Sequence, residues 1–245
     1  MAEINLITQY NKKSPISEAY RAIRTNLQFA GAGKPMKLIS FTSATPSEGK
    51  STTVSNLAIV MAQNEKKVLL IDCDMRKPVQ HKNFELANRG LSNCIATGAT
   101  LEKVIQRDVL PNLDILPSGP VPPNPSELLS SAKMTEILNT VRETYDYILL
   151  DMPPVLPVTD ASVMSSKVDG VVLVLSSGDI SPEEANRTKA QLEQGGANIL
   201  GVILNKVPAQ RGYGYSHYYY YYYYDEEHVK HKGHRHHRKE QNSGQ

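Results

Sequence analysis

Residues 37–52 read KLISFTSATPSEGKST, and the fold turns on this stretch. KLISFTS (37–43) has the apolar and β-branched content of a strand. From Lys50 to Asn64 the period changes to that of a helix, with Val54, Leu57, Ala58 and Met61 on one face. The link between them, Ala44-Thr45-Pro46-Ser47-Glu48-Gly49-Lys50-Ser51-Thr52, fits the phosphate loop G-x-x-x-x-G-K-[ST], with Ala44 in place of the first glycine. Gly49 allows close backbone approach, Lys50 can reach the β- and γ-phosphates of a nucleotide, and Ser51 can ligate Mg2+. A Gly-Lys-Ser tripeptide is common by chance. Closing a strand and opening a helix is what gives it meaning, because the helix N-terminus then faces the anion.

Strands and helices alternate onward from this unit. KVLLID (67–72), DILP (114–117), YILLD (147–151), GVVLVLS (170–176) and ILGVILN (199–205) read as strands. Helices are expected over 17–30, with Ser17 as N-cap, over 126–145 and over 183–194. Near-continuous Val/Ile/Leu strands separated by helices predict a doubly wound α/β fold. Its mostly parallel sheet is of the P-loop NTPase type, with helices on both faces. Residues 1–16 read as a loose arm, 17–207 as the domain and 208–245 as a flexible tail.

Two further strands end in aspartate. VLLIDCD places Asp72 at a strand end and Asp74 two residues on, ahead of Arg76 and Lys77, and YILLDMPP places Asp151 at another. Strand carboxyl ends converge on the ligand crevice of an open α/β sheet, and a carboxylate there can hold Mg2+ directly or through water. Arg76 and Lys77 read either as a positive field beside that site or as surface charge.

The composition is that of an ordinary globular protein, with 40% apolar and 21% charged residues and a net charge of +2 over 245 residues. No global field calls for nucleic acid. Two cysteines without a CxxC exclude a disulfide framework and a multi-cysteine zinc site. No apolar run approaches the roughly 20 residues of a membrane span. After Pro208 the character changes. YGYSHYYYYYYY (213–224) holds nine of the 13 tyrosines, and a His-rich stretch follows. That end has too few aliphatic residues for a core. Its histidines read as a transition-metal site or as the product of a basic, low-complexity tail.

Together, SATPSEGKST, LLIDCDMRKP, ILLDMPP and the tyrosine cluster resemble the bacterial tyrosine kinases of capsule and exopolysaccharide synthesis, as Walker A, Walker A′, Walker B and phosphoacceptor segments. The resemblance covers nearly the whole chain. It implies a cytoplasmic enzyme using ATP and Mg2+, with Thr45, Pro46, Ser47, Glu48, Gly49, Lys50, Ser51 and Thr52 binding phosphates. Ser51, Asp72 and Asp151 would bind or orient the metal, and Lys50 and Asp74 would be catalytic, Asp74 accepting the tyrosine proton. Asn205 falls where related proteins contact adenine, or is a simple loop residue. Tyr213, Tyr215, Tyr218, Tyr219, Tyr220, Tyr221, Tyr222, Tyr223 and Tyr224 would be the acceptors. Glu18, Arg21 and Arg24 match the family's ExxRxxR subunit contact, which implies a homo-oligomeric ring that comes apart after autophosphorylation. A separate membrane-spanning activator that recruits the kinase to the inner face of the plasma membrane, a tyrosine phosphatase and other protein substrates are the implied partners, with no nucleic acid. Two other readings compete. A partitioning-type P-loop ATPase would carry a second lysine where Thr45 stands, and a non-catalytic scaffold would bind nucleotide without transferring phosphate.

Overall fold

The computed structural model describes residues 6–31, 33 and 36–208. The chain divides into two units, Met1–Val207 and Pro208–Gln245, and every described helix and strand belongs to the first. The predicted tail beyond Pro208, including Tyr213 to Tyr224 and the histidines, lies outside the described residues.

Two helices come first, α1 (Ile7–Tyr10) and α2 (Pro15–Ala30), then β1 (Leu38–Ser43), α3 (Lys50–Ala62) and β2 (Val68–Asp72). The middle of the chain carries α4 (Gln80–Asn83), α5 (Leu91–Thr97), α6 (Leu101–Val104), β3 (Gln106–Leu110) and β4 (Leu113–Leu116). Then come α7 (Pro125–Ser130), α8 (Ala132–Thr144), β5 (Tyr147–Asp151), α9 (Asp160–Ser165), β6 (Gly170–Ser176), α10 (Pro182–Gln194) and β7 (Ile199–Asn205). The seven strands form one sheet in the order β3-β4-β2-β5-β1-β6-β7. All neighbours are parallel except β3 with β4. The expected doubly wound, mostly parallel fold is what the chain adopts.

Alternate residues of the central strands enter two cores, one on each face. Ile39, Phe41, Leu70 and Leu149 pack with Val54, Leu57 and Met61 of α3. Leu38, Ile71, Leu150 and Leu173 pack with Leu91, Leu138, Met164 and Leu192 from helices of the other face. Burial on both sides explains the unbroken apolar runs of the sequence.

Three expectations need correction. Residues 6–14 are not a loose arm: Leu6 and Thr8 are buried, and the Thr8 N–H and hydroxyl both donate to Asn56 Oδ1 of α3, at 3.0 and 2.9 Å. The N-cap of the next helix is Ser14, not Ser17. Ser14 Oγ accepts the Ser17 N–H at 3.0 Å, and Pro15 takes the first helical position, where its missing N–H costs nothing. The helix expected over 126–145 is two helices, because Ser131 turns extended and its hydroxyl caps α8 by accepting from Met134 N. Strand β3 is an addition to the expected elements, being short, polar and at an antiparallel edge.

Candidate active site

Strands β1, β2 and β5 are adjacent and end together. Asp72 and Asp151 are register partners, as are Phe41 and Asp151, so side chains two residues short of the β1 end and at the ends of β2 and β5 meet at one edge. The phosphate loop leaves β1 at that edge. Ser47 and Gly49 have φ of +69° and +87°, and α3 starts at Lys50 with Gly49 as an N-cap that supplies no side-chain acceptor. At Gly49 the φ of +87° favours glycine, and a Cβ there would lie 2.0 Å from Asn205 Nδ2, so the Asn205 side chain would have to leave its place.

The loop is braced from within and from the far strands. Glu48 is buried, and its carboxylate accepts from Thr45 N at 2.5 Å, Thr45 Oγ1 at 3.1 Å and Ser176 N, at the end of β6, at 2.9 Å. Asn205 Nδ2, at the end of β7, donates to the Glu48 carbonyl at 2.9 Å. The side chain of Glu48 thus shapes the loop from behind, and Asn205 ties it to the last strand.

Lys50 is buried beneath the loop. Its Nζ donates to Asp151 Oδ1 at 2.6 Å, lies 3.8 Å from Asp74 and also reaches Ser51 Oγ at 3.1 Å. Burial pulls the ammonium pKa down, but the carboxylates of Asp151 and Asp74 outweigh it and hold the value above the ordinary one. Asp72 accepts from the backbone N–H groups of Asp74, Val79 and Gln80 at 2.9–3.1 Å. Burial, with Asp151 alongside, pushes its carboxyl up to about 8. Asp74 is also raised, chiefly by burial and against the pull of Lys50.

One ammonium among three buried carboxylates leaves negative charge uncompensated. Among the described residues no group of three or more His, Cys, Asp or Glu side chains is arranged to hold a metal alone. Mg2+ is usually bound by one or two carboxylates together with phosphate oxygens and water. Ser51, which lines the cleft, and Asp72 and Asp151, fully buried beneath it, are the residues that would hold such an ion. The uncapped start of α3 suits the phosphates.

A cleft of about 520 Å3 opens over these groups. The phosphate loop forms one wall, Pro153, Pro154 and Val158 another, and Asp74, Arg76 and Lys77 the rim. Arg76 pairs with both oxygens of the buried Asp160, at 2.9 and 3.0 Å, and Asp160 also contacts Ser126 Oγ. Arg76 is therefore a fixed charge at the mouth of the cleft, while Lys77 is exposed there. The structure brings together Lys50, Ser51, Asp72, Asp74 and Asp151. Asn205 joins them through the backbone of the loop. Glu18, Arg21 and Arg24 lie elsewhere, on α2. Arg21 pairs with Glu18 and donates to the Lys12 carbonyl, and Arg24 donates to the Val60 carbonyl at 3.3 Å.

Sequence reasoning misses Gln80. It is fully buried and donates to Asp151 Oδ2 at 2.7 Å. Nothing in its neighbourhood of the sequence marks it, since only the folded register of β2 and β5 sets it there.

Comparisons with known proteins agree with this geometry. Residues 36–187 match the AAA domain family AAA_31. The chain is 45% identical over 214 residues to tyrosine-protein kinase YwqD of Bacillus subtilis, covering 86% of this chain and 90% of that one. It is 39% identical over 210 residues to tyrosine-protein kinase CpsD of Streptococcus agalactiae, covering 84% and 91%. The solved kinase domain of Escherichia coli tyrosine kinase ETK superposes with a TM-score of 0.79 at 36% identity, covering 86% of this chain and 85% of that one. The phosphate loop on β1, the acidic ends of β2 and β5 and these relatives converge: the chain belongs to the bacterial tyrosine-protein kinases built on a P-loop AAA domain.

Proposed function

We propose that this kinase transfers the γ-phosphoryl group of ATP to the tyrosines of its own C-terminal cluster, in trans within a homo-oligomer, and so regulates capsule or exopolysaccharide synthesis and export. The observation that carries the reading is the grouping of Lys50 with Asp72, Asp74 and Asp151 beneath a phosphate loop, in a chain with nine tyrosines between 213 and 224.

The loop amides and the start of α3 hold the phosphates, and Lys50 turns from Asp151 toward them. Ser51, Asp72 and Asp151 would hold Mg2+, which when bound would supply the positive charge that phosphoryl transfer requires. The phenol oxygen forms a bond to the γ-phosphorus, the bond from that phosphorus to the bridging oxygen breaks, and ADP leaves. The phenol proton passes to Asp74. A carboxyl raised by burial is a better acceptor for it than an ordinary one, and a phenol of pKa about 10 needs such help at neutral pH. Asn205 acts from behind the loop as its tether.

Each phosphotyrosine adds about −1.5 to −2 charges. Several would repel the tail from a cleft that already holds three carboxylates, which releases the product and loosens the assembly. Glu18, Arg21 and Arg24 form the subunit contact, exchanging their partners on Lys12 and Val60 for groups of a neighbour. A membrane-spanning activator brings the kinase to the inner face of the plasma membrane, and a tyrosine phosphatase resets it. Other protein substrates enter the same cleft.

The test mixes two variants with labelled ATP and Mg2+. Full-length Lys50→Met supplies acceptor tyrosines without transfer activity, and wild-type sequence ending at Pro208 supplies activity without acceptors. Label on the full-length chain is the expected result. Label only when both features share one chain would exclude transfer in trans, and free phosphate alone would make the protein an ATPase.

A further inference from the structure

Both carboxylate oxygens of the fully buried Asp151 are engaged. Oδ1 accepts from Lys50 Nζ at 2.6 Å, and Oδ2 accepts from Gln80 Nε2 at 2.7 Å. Nucleotide binding asks different things of these two partners. Lys50 lines the cleft and has to turn toward the phosphates, which frees Oδ1. Gln80 is held in place. Its backbone N–H donates to Asp72 Oδ2 at 2.9 Å. Its Oε1 accepts from Asn83 Nδ2 at 3.0 Å and lies 2.7 Å from Ser55 Oγ, which aims the amide nitrogen at Asp151. The same nitrogen lies 3.3 Å from the Ser51 carbonyl. One buried side chain therefore joins the phosphate-loop helix, the β2 aspartate and the β5 aspartate.

We propose that Gln80 is a positioning residue for metal-dependent nucleotide binding, the partner that keeps Asp151 aimed after Lys50 has left it for the phosphates. This rests on the nucleotide-site reading above. Glutamine suits the task because it is a neutral donor. A cation there would compete with the metal, and a carboxylate would add a fourth acid to Asp72, Asp74 and Asp151. An apolar side chain would leave Oδ2 buried without a partner. Groups that hold a metal-binding carboxylate from behind typically change metal affinity or activity about 10–100-fold when lost.

The test uses the full-length protein and a fluorescent ADP analogue, mant-ADP, titrated with Mg2+ and again with EDTA, alongside kcat and KM for ATP. In Gln80→Leu, affinity in EDTA should stay within about twofold of wild type, while the gain on adding Mg2+ shrinks about 10-fold or more and kcat falls with it. Gln80→Glu should move in the same direction. Ser55→Ala, which keeps Nε2 but loosens Oε1, should show a smaller loss of the same kind. If Gln80→Leu no longer melts cooperatively, Gln80→Glu and Ser55→Ala decide. A wild-type Mg2+ gain in the folded variants overturns the inference, and so does an equal loss in EDTA and in Mg2+, which is what a purely structural role produces. A wild-type protein whose affinity ignores Mg2+ overturns the metal assignment and this inference together; a normal wild-type gain with unaffected variants overturns the inference alone.

Discussion

The two ends of the central strand β1 carry aspartates with opposite tasks. At its amino end Asp169 accepts the N–H groups of Lys37 and Leu38 at 2.9 and 2.8 Å, and Arg142 donates to both its oxygens at 2.8 and 3.0 Å. One carboxylate meets one guanidinium and two backbone donors, and the orphan amides at the strand start are satisfied. At the carboxyl end, Lys50 is the cation that Asp74 and Asp151 pair with, and the other donors to them and to Asp72 are neutral backbone N–H groups and the Gln80 amide. The ingredients match, but only the second cluster leaves negative charge over, and it is the one under a cleft. Where a fold needs a charge for its own integrity, it completes the set. A set left incomplete in a dry site is one built to receive a cationic partner from outside.

The largest effect that would break this contrast comes from one substitution made at both ends. Lys50→Met should lower tyrosine phosphorylation by at least ~100-fold, since it removes charge aimed at the transition state. It should also destabilise the ligand-free protein by roughly 3 kcal/mol, because the buried carboxylates lose their cation. Arg142→Met removes a half-exposed partner and should cost about 1 kcal/mol, with transfer unchanged. Urea denaturation with labelled-ATP assays compares them, and near-normal transfer by folded Lys50→Met refutes the assignment of the loop.

A second change divides the acidic cluster itself. Asp74→Asn should reduce transfer to tyrosine about 100-fold while mant-ADP affinity in Mg2+ changes only a few-fold, since Asp72 and Asp151 remain for the metal. Equal losses in the two assays would make Asp74 a metal residue.

A third expected effect is on stability against pH. The Asp72 carboxyl stands at about 8 in the fold against an ordinary 3.8, so between these values the folded protein holds a proton that the unfolded chain releases. Stability of the ligand-free protein should then fall as pH rises through that window. Lys50, raised in the fold, retains its contribution until more alkaline pH. Asp72→Asn should lose most of the slope. Melting temperatures that climb from pH 5 to 8 would show that the acids are not in surplus.

The fold is legible because its central strands are buried on both faces, which makes β2, β5 and β6 runs of Val, Ile and Leu. Strand β3 is not, because QRDVL at a half-exposed edge has neither an apolar run nor a clean alternation. The break between α7 and α8 rests on one hydroxyl, Ser131, in a stretch whose periodicity continues through it. That Lys50, Asp72 and Asp151 meet is legible because the Gly-Lys-Ser turn between strand and helix and the acidic strand ends are local signals. Gln80 and the inward turn of Glu48 are not. A glutamine after a Lys-Pro turn looks like surface, and a glutamate in a phosphate loop looks like solvent-facing charge, until strands distant in the sequence supply their partners.

The bracing of the phosphate loop has a bearing on how the protein is made. Glu48 is fixed by Ser176, 128 positions later, and its carbonyl by Asn205, 157 positions later. A chain emerging from the ribosome therefore carries its loop sequence for most of the time of synthesis without the groups that set its shape. β6 has to pair with β1, and β7 with β6, before the loop amides converge. Nucleotide binding is then the last property the growing domain acquires, and the tyrosines come immediately behind the strand that confers it.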